Sequence, residues 1–148
     1  TGIRRDELIN IKLLDISFDS KVIKVTGKRN KQRMIPMLPY LSSNIIDYIN
    51  NSDPKIYLFE SKKSKKLSTS TIYRIINKYF RSVSSKVKIS PHVLRHTFAT
   101  HMLNNGADIN TIKEILGHAS LSSTQIYTKI KLPKIVSDYN KSHPREID

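Results

Sequence analysis

Apolar positions along this chain repeat with two different periods, and the change between them divides it. In residues 5–14 (RDELINIKLL), Leu8, Ile11 and Leu14 recur every three residues, which predicts a short helix. Over residues 15–38 the period shortens. Ile16, Phe18, Val22, Ile23, Val25, Met34, Ile35 and Met37 fall in β-prone segments, separated by turn-like residues at Asp19-Ser20 and in GKRNKQ. A small antiparallel sheet of two or three strands is expected, with Lys28 in or beside a turn. From Pro39 onward the pattern is helical. Ile45, Ile46 and Ile49 share one helix face, and residues 51–68 read as a loop around the short apolar segment 56–59. A helix over 69–84 would carry Ile72, Ile75, Ile76, Tyr79, Phe80 and Val83 on one side. Pro91 suits a helix's first turn. That helix would turn Leu94, Phe98 and Met102 inward and end near Asn105-Gly106. Asp108 can cap the next helix, 109–116, which Gly117 ends. Two shorter helical segments are expected at 122–130 and 135–141. The expected fold class is mainly α with a small antiparallel β-sheet (α+β).

Length and composition narrow the setting. With 148 residues the chain suits one domain, and 38% hydrophobic with 26% charged residues is a soluble globular balance. No apolar run approaches the roughly 20 residues of a membrane span, and no signal-peptide pattern is present. The absence of cysteine excludes disulfides and thiolate metal sites. These features fit a cytoplasmic protein. The chain opens on Thr1 rather than Met, so a piece of something longer is expected.

Charge adds more. Twenty-six Lys plus Arg against twelve Asp plus Glu give a net charge of +14. Such a domain attracts polyanions, nucleic acid above all; a merely solvated surface is the plainer reading. Membrane binding is disfavoured, because no basic amphipathic helix with a clean apolar face is present. The lysines Lys62, Lys63, Lys65 and Lys66 are by default a solvated run, with a phosphate-facing role as the alternative.

One set of residues carries candidate chemistry. In SPHVLRHTFATH, His92 and Arg95 lie three apart at a helix start and so share a face. The free N–H groups and dipole of that helix start favour an anion as well. Leu116-Gly117-His118 is followed nine residues later by Tyr127. Taken singly these are ordinary: a basic helix surface, and a tyrosine half-buried by packing. Lys28 in a basic turn and Arg4 in a Thr-Gly-Ile-Arg turn before a helix complete the set.

In conjunction, TGIRRDEL, GKRNKQRMIP and SPHVLRHTFATHMLNNGADINTIKEILGHASLSSTQIYT resemble the tyrosine recombinase (phage integrase) family, and are especially similar to the Xer-type site-specific recombinases. The resemblance runs from Thr1 to about Lys129 and matches six positions in order. It implies the DNA breaking-rejoining catalytic fold. Arg4 and Arg95 would grip the scissile phosphate, for which a planar guanidinium fork is suited. His92 would hydrogen-bond the phosphate and share in deprotonating the tyrosine. Lys28 would protonate the leaving 5′ oxygen, and His118 would hydrogen-bond the transition-state phosphoryl oxygens. Glu7 would support the site, and Tyr127 would attack, leaving a 3′-phosphotyrosine link. Arg29, Lys31 and Arg33, with Lys62, Lys63, Lys65 and Lys66, are candidate DNA contacts.

No metal, ATP or other cofactor is implied. The implied partners are a double-stranded DNA recombination site and a homo- or hetero-tetramer on DNA, acting at the bacterial nucleoid. A DNA-clamping N-terminal domain and a further catalytic-domain helix are expected before Arg4. The segment 131–148 is a candidate for docking onto a neighbouring protomer, or else a frayed tail. Three rivals remain: a non-catalytic DNA-binding module, a type IB topoisomerase, and a zinc hydrolase using His92, His96 and His101. The last lacks an acidic residue between its first two histidines.

Overall fold

The β-prone stretch folds into three antiparallel strands in the order β1 (Ile16–Ser17), β2 (Val22–Thr26) and β3 (Gln32–Pro36). A computed structural model describes residues 1–61, 65–81, 90–117 and 131–145. Ile23 lies opposite Ile35, and Val25 opposite Arg33. Ile23, Val25 and Ile35 join Ile11, Met37, Ile45 and Leu58 in one buried cluster. The β2–β3 connection is a 3₁₀ turn at Lys28–Asn30, in which Arg29 and Asn30 take positive φ (60° and 57°).

The expected helix over 5–14 is corrected to a single turn, α1 (Arg5–Leu8). The reason is tertiary. The Leu13 N–H donates to the Ile56 carbonyl (3.0 Å) and the Leu58 N–H to the Ile11 carbonyl (2.9 Å), so residues 11–13 pair with 56–58. Ile11 is buried, but Leu14 is 94% exposed and belongs to no apolar face. Pairing with a distant segment overrides a weak helical preference.

Helix α2 (Pro39–Ser52) buries Ile45, packs Leu41, Tyr48 and Ile49 on the sheet-side cluster, and leaves Ile46 exposed. The loop after it is ordered by Glu60, whose carboxylate accepts the N–H groups of Lys55, Ile56 and Tyr57 (3.1, 2.7 and 2.8 Å). Helix α3 (Thr69–Arg81) buries Ile72 and half-buries Ile76 and Phe80. Ile75 and Tyr79, expected on the same face, are exposed; the packed stripe is the narrower i, i+4 row. Val83 lies outside the described residues.

Helix α4 (Pro91–Asn104) starts at its proline. The Ser90 hydroxyl caps it by accepting the Val93 N–H (3.3 Å). Met102 is fully buried, with Phe98 packed beside it. Asp108 caps α5 (Ile109–Leu116) through the Asn110 N–H (2.8 Å), as the sequence suggested. The helical segment expected at 122–130 lies outside the described residues. The one expected at 135–141 is longer, α6 (Lys131–Ser142).

Leu38, Met102, Ala107, Ile112, Ile115, Leu116, Ile135 and Tyr139 form a second cluster, uniting α4, α5 and α6. The described part of 131–148 is therefore not frayed. It packs on its own chain, with Tyr139 fully buried and the Thr111 hydroxyl donating to Asp138 (3.0 Å). No helix among the described residues is long and apolar enough to cross a membrane.

Candidate active site

The two clusters meet where α1, β3 and the end of α5 come together, and the charged residues gather there. Glu7 is buried, 3% exposed, and Arg33 is buried beside it, 5% exposed. The Arg33 Nη1 and Nη2 donate to the Glu7 Oε1 and Oε2 (2.6 and 2.8 Å), a two-pronged ion pair. Arg4 adds to it, donating its backbone N–H to Oε2 and its Nη1 to Oε1 (both 2.9 Å). Burial alone would raise the Glu7 carboxyl. The Arg33 hydrogen bonds and charge, with those from Arg4, more than reverse this and hold it at about 2.

The end of α5 supplies the other anchors. A helix C-terminus leaves carbonyls without intrahelical partners and attracts cations. Here three successive carbonyls accept from three arginines. Ile115 accepts from the Arg33 Nε (2.6 Å), Leu116 from the Arg95 Nη2, and Gly117 from the Arg4 Nη2 (2.9 Å). Arg95 also donates its Nη1 to the Gly2 carbonyl (2.7 Å). Burial, followed by the charges of Arg4 and Arg33, lowers the Arg95 guanidinium to about 10. Three guanidiniums thus face one carboxylate. Each terminal nitrogen of Arg4 and Arg95 makes one of these bonds and carries a second hydrogen for an anion.

Two glycines allow this packing. Gly117 has φ +65°, and a Cβ there would sit 3.1 Å from the Arg33 side chain. Gly27, the residue after β2, is so close to Glu7 that a Cβ would lie 2.9 Å from its Oε1. The turn carrying Lys28 therefore rises from the edge of the Glu7–Arg33 pair, with Lys28 itself exposed.

Of the expected site residues, the structure brings together Arg4, Arg95 and the supporting Glu7, with Lys28 on the adjoining turn. His92 is exposed in the first turn of α4, one turn before Arg95. His118 directly follows Gly117 in the chain. His118 and Tyr127 lie outside the described residues, as do Lys62 and Lys63. Arg29 and Lys31 are exposed on the β2–β3 turn. Lys65 is exposed, and so is Lys66, whose Nζ donates to the Asn10 side chain (2.8 Å).

Arg33 is a correction. It was expected to contact DNA, but it is buried and each of its guanidinium nitrogens is bonded within the protein. The strand explains why: Arg33 shares the inward phase of Ile35 and Met37. That alternation was the available signal.

The chain matches the phage integrase family model over residues 1–132. It belongs to that family. It is 39% identical over 155 residues to "Tyrosine recombinase XerC" of Pelotomaculum thermopropionicum, a match covering 97% of this chain and 51% of that protein. It is 46% identical over 135 residues to "Tyrosine recombinase XerA" of Pyrococcus furiosus, covering 88% of this chain and 46% of that one. The chain spans about half the length of the curated relatives it matches. A crystal structure of XerA recombinase superposes with a TM-score of 0.75 at 35% identity, covering 94% of this chain and 54% of that chain. The fold is thus that of the catalytic domains of this family, mostly helical with a small three-stranded antiparallel sheet.

Proposed function

We propose that this chain is the catalytic unit of a tyrosine site-specific recombinase that cuts and rejoins double-stranded DNA. The observation that carries the reading is the pair Arg4 and Arg95, held on successive carbonyls at the end of α5 with hydrogens left to donate. A phosphodiester gathers charge on its non-bridging oxygens during transfer, and fixed guanidiniums stabilise that charge without a metal. The Tyr127 oxygen attacks phosphorus, passing its proton to a base for which His92 is placed by sequence. The bond to the 5′ oxygen breaks, and Lys28 protonates that oxygen. His118 donates to the phosphoryl oxygens. The phosphotyrosine keeps the energy of the phosphodiester, so a second 5′-hydroxyl reverses the step on a new strand without ATP.

The exposed cations of the β2–β3 turn, Arg29 and Lys31, are proposed to hold the DNA backbone. Arg74, Lys78 and Arg81, exposed along α3 at spacings of four and three, are proposed to do the same. Composition alone pointed at the loop lysines instead, although the α3 spacing was there to read. A tetramer on DNA is proposed as the working assembly, in which α6 leaves its seat on α4 and α5 for the same seat on a neighbour.

The test is a nicked suicide duplex bearing the site that the protein selects from random sequence. The wild-type protein should form a covalent adduct and Tyr127→Phe none. An adduct that survives Tyr127→Phe, or its absence from wild type, refutes the reading. DNA binding with no adduct would favour a non-catalytic module, and relaxation of plasmids lacking the site a type IB topoisomerase.

A further inference from the structure

Arg33 is the one Lys or Arg that is buried among the described residues. Its place explains more than the stability of Glu7. It holds both carboxylate oxygens of Glu7, and Glu7 in turn holds the backbone N–H and side chain of Arg4. Its third nitrogen holds the Ile115 carbonyl, the residue before the one whose carbonyl holds Arg95. Arg33 is therefore bonded to the support of one arginine and to the helix turn that supports the other. It runs beneath Gly117, where the chain leaves α5 toward His118, so close that a Cβ there would lie 3.1 Å from it.

We infer that Arg33 is a positioning residue that sets Arg4 against Arg95 and fixes the exit of the chain at Gly117, while touching no DNA itself. The inference rests on the reading of Arg4 and Arg95 as the phosphate clamp. Its logic is geometric. Three donors in one plane span three acceptors on two elements, which a lysine's single nitrogen cannot do. Donors that stabilise a transition state must be held to fractions of an ångström, and a shift of about 1 Å can cost about 100-fold in rate. Affinity comes largely from phosphate contacts spread over the surface and does not depend on that register.

The experiment compares Arg33→Met and Arg33→Lys with wild type in the full-length protein. On the nicked duplex, Arg33→Met should lower the single-turnover cleavage rate at saturating DNA by about 100-fold. The Kd for DNA should change by less than about threefold. Arg33→Lys keeps the charge beside Glu7, so it should recover the melting temperature but not the rate. The acidic limb of the pH–rate profile should move to higher pH in Arg33→Met, because Glu7 loses the partner that keeps it ionised.

A separate arm uses no DNA. The Nε–H signals of Arg4 and Arg95 in nitrogen-15 NMR spectra should shift and broaden in both variants. Cleavage by Arg33→Met within about threefold of wild type would overturn the inference, as would unchanged Arg4 and Arg95 signals. So would a rate that tracks the melting temperature through both variants. If wild type itself forms no adduct, the recombinase reading fails, and the NMR arm still decides the case of Arg33.

Discussion

Two basic regions of this domain lie side by side and are built in opposite ways. At the end of α5, Arg4, Arg33 and Arg95 are half-buried or buried, each bonded to a backbone carbonyl, two of them also to Glu7. On the β2–β3 turn next to them, Arg29 and Lys31 stand exposed. The first group is oriented before any ligand arrives, so it can favour one charge distribution over another. The second can follow a phosphate backbone with little cost in strain, which gives attraction that weakens with salt. On the proposed function, a cation's neighbours, more than its charge, separate selecting a transition state from holding a substrate.

The sharpest way to break this contrast is to remove the anion at its centre. Glu7→Ala leaves Arg33 buried without its partner and should cost about 3–5 kcal/mol, read from urea unfolding. The pH dependence of stability makes the same point. The Glu7 carboxyl sits at about 2 in the folded protein against the ordinary glutamate value of 4.5. Its stabilisation is therefore complete above about pH 4.5 and is lost as the pH falls through about 2; this slope should vanish in Glu7→Gln. Next in size, Arg95→Ala should lower the single-turnover cleavage rate by about 100- to 1000-fold, measured on the nicked duplex. Gly117→Ala should cost about 1–2 kcal/mol in a thermal melt, because residue 117 is left-handed and lies over Arg33. The smallest effect belongs to the turn. Lys31→Ala should change stability by less than about 0.5 kcal/mol. It should lower the salt slope of DNA binding by about one, seen in titrations at several salt concentrations.

Sequence patterns were reliable where the cause was local. The capped start of α4 at Ser90-Pro91, the span of α5 between Asp108 and Gly117, and the hairpin around Lys28 depend on residues within a few positions of one another. They failed where a distant segment intervened. Leu14 fits a helical spacing, yet residues 11–13 bond to residues 56–58 and α1 stops at Leu8. Ile46 and Ile75 fit their helices' apolar stripes, yet both are exposed. Arg33 was read by its charge among other basic residues, while its strand phase turned it inward.

The sequence by itself determined the family, because motifs in a fixed order are a property of the string. It determined the fold class as well, because helical and strand periods differ and caps act locally. Only the tertiary structure decided which cations are fixed and which are free. That depends on carbonyls at residues 115–117 meeting side chains from residues 4, 33 and 95, partners separated by between 21 and 113 positions and joined only when the sheet packs against α5. A buried charge is stable only where several such bonds converge, and convergence cannot be read from neighbours along a chain.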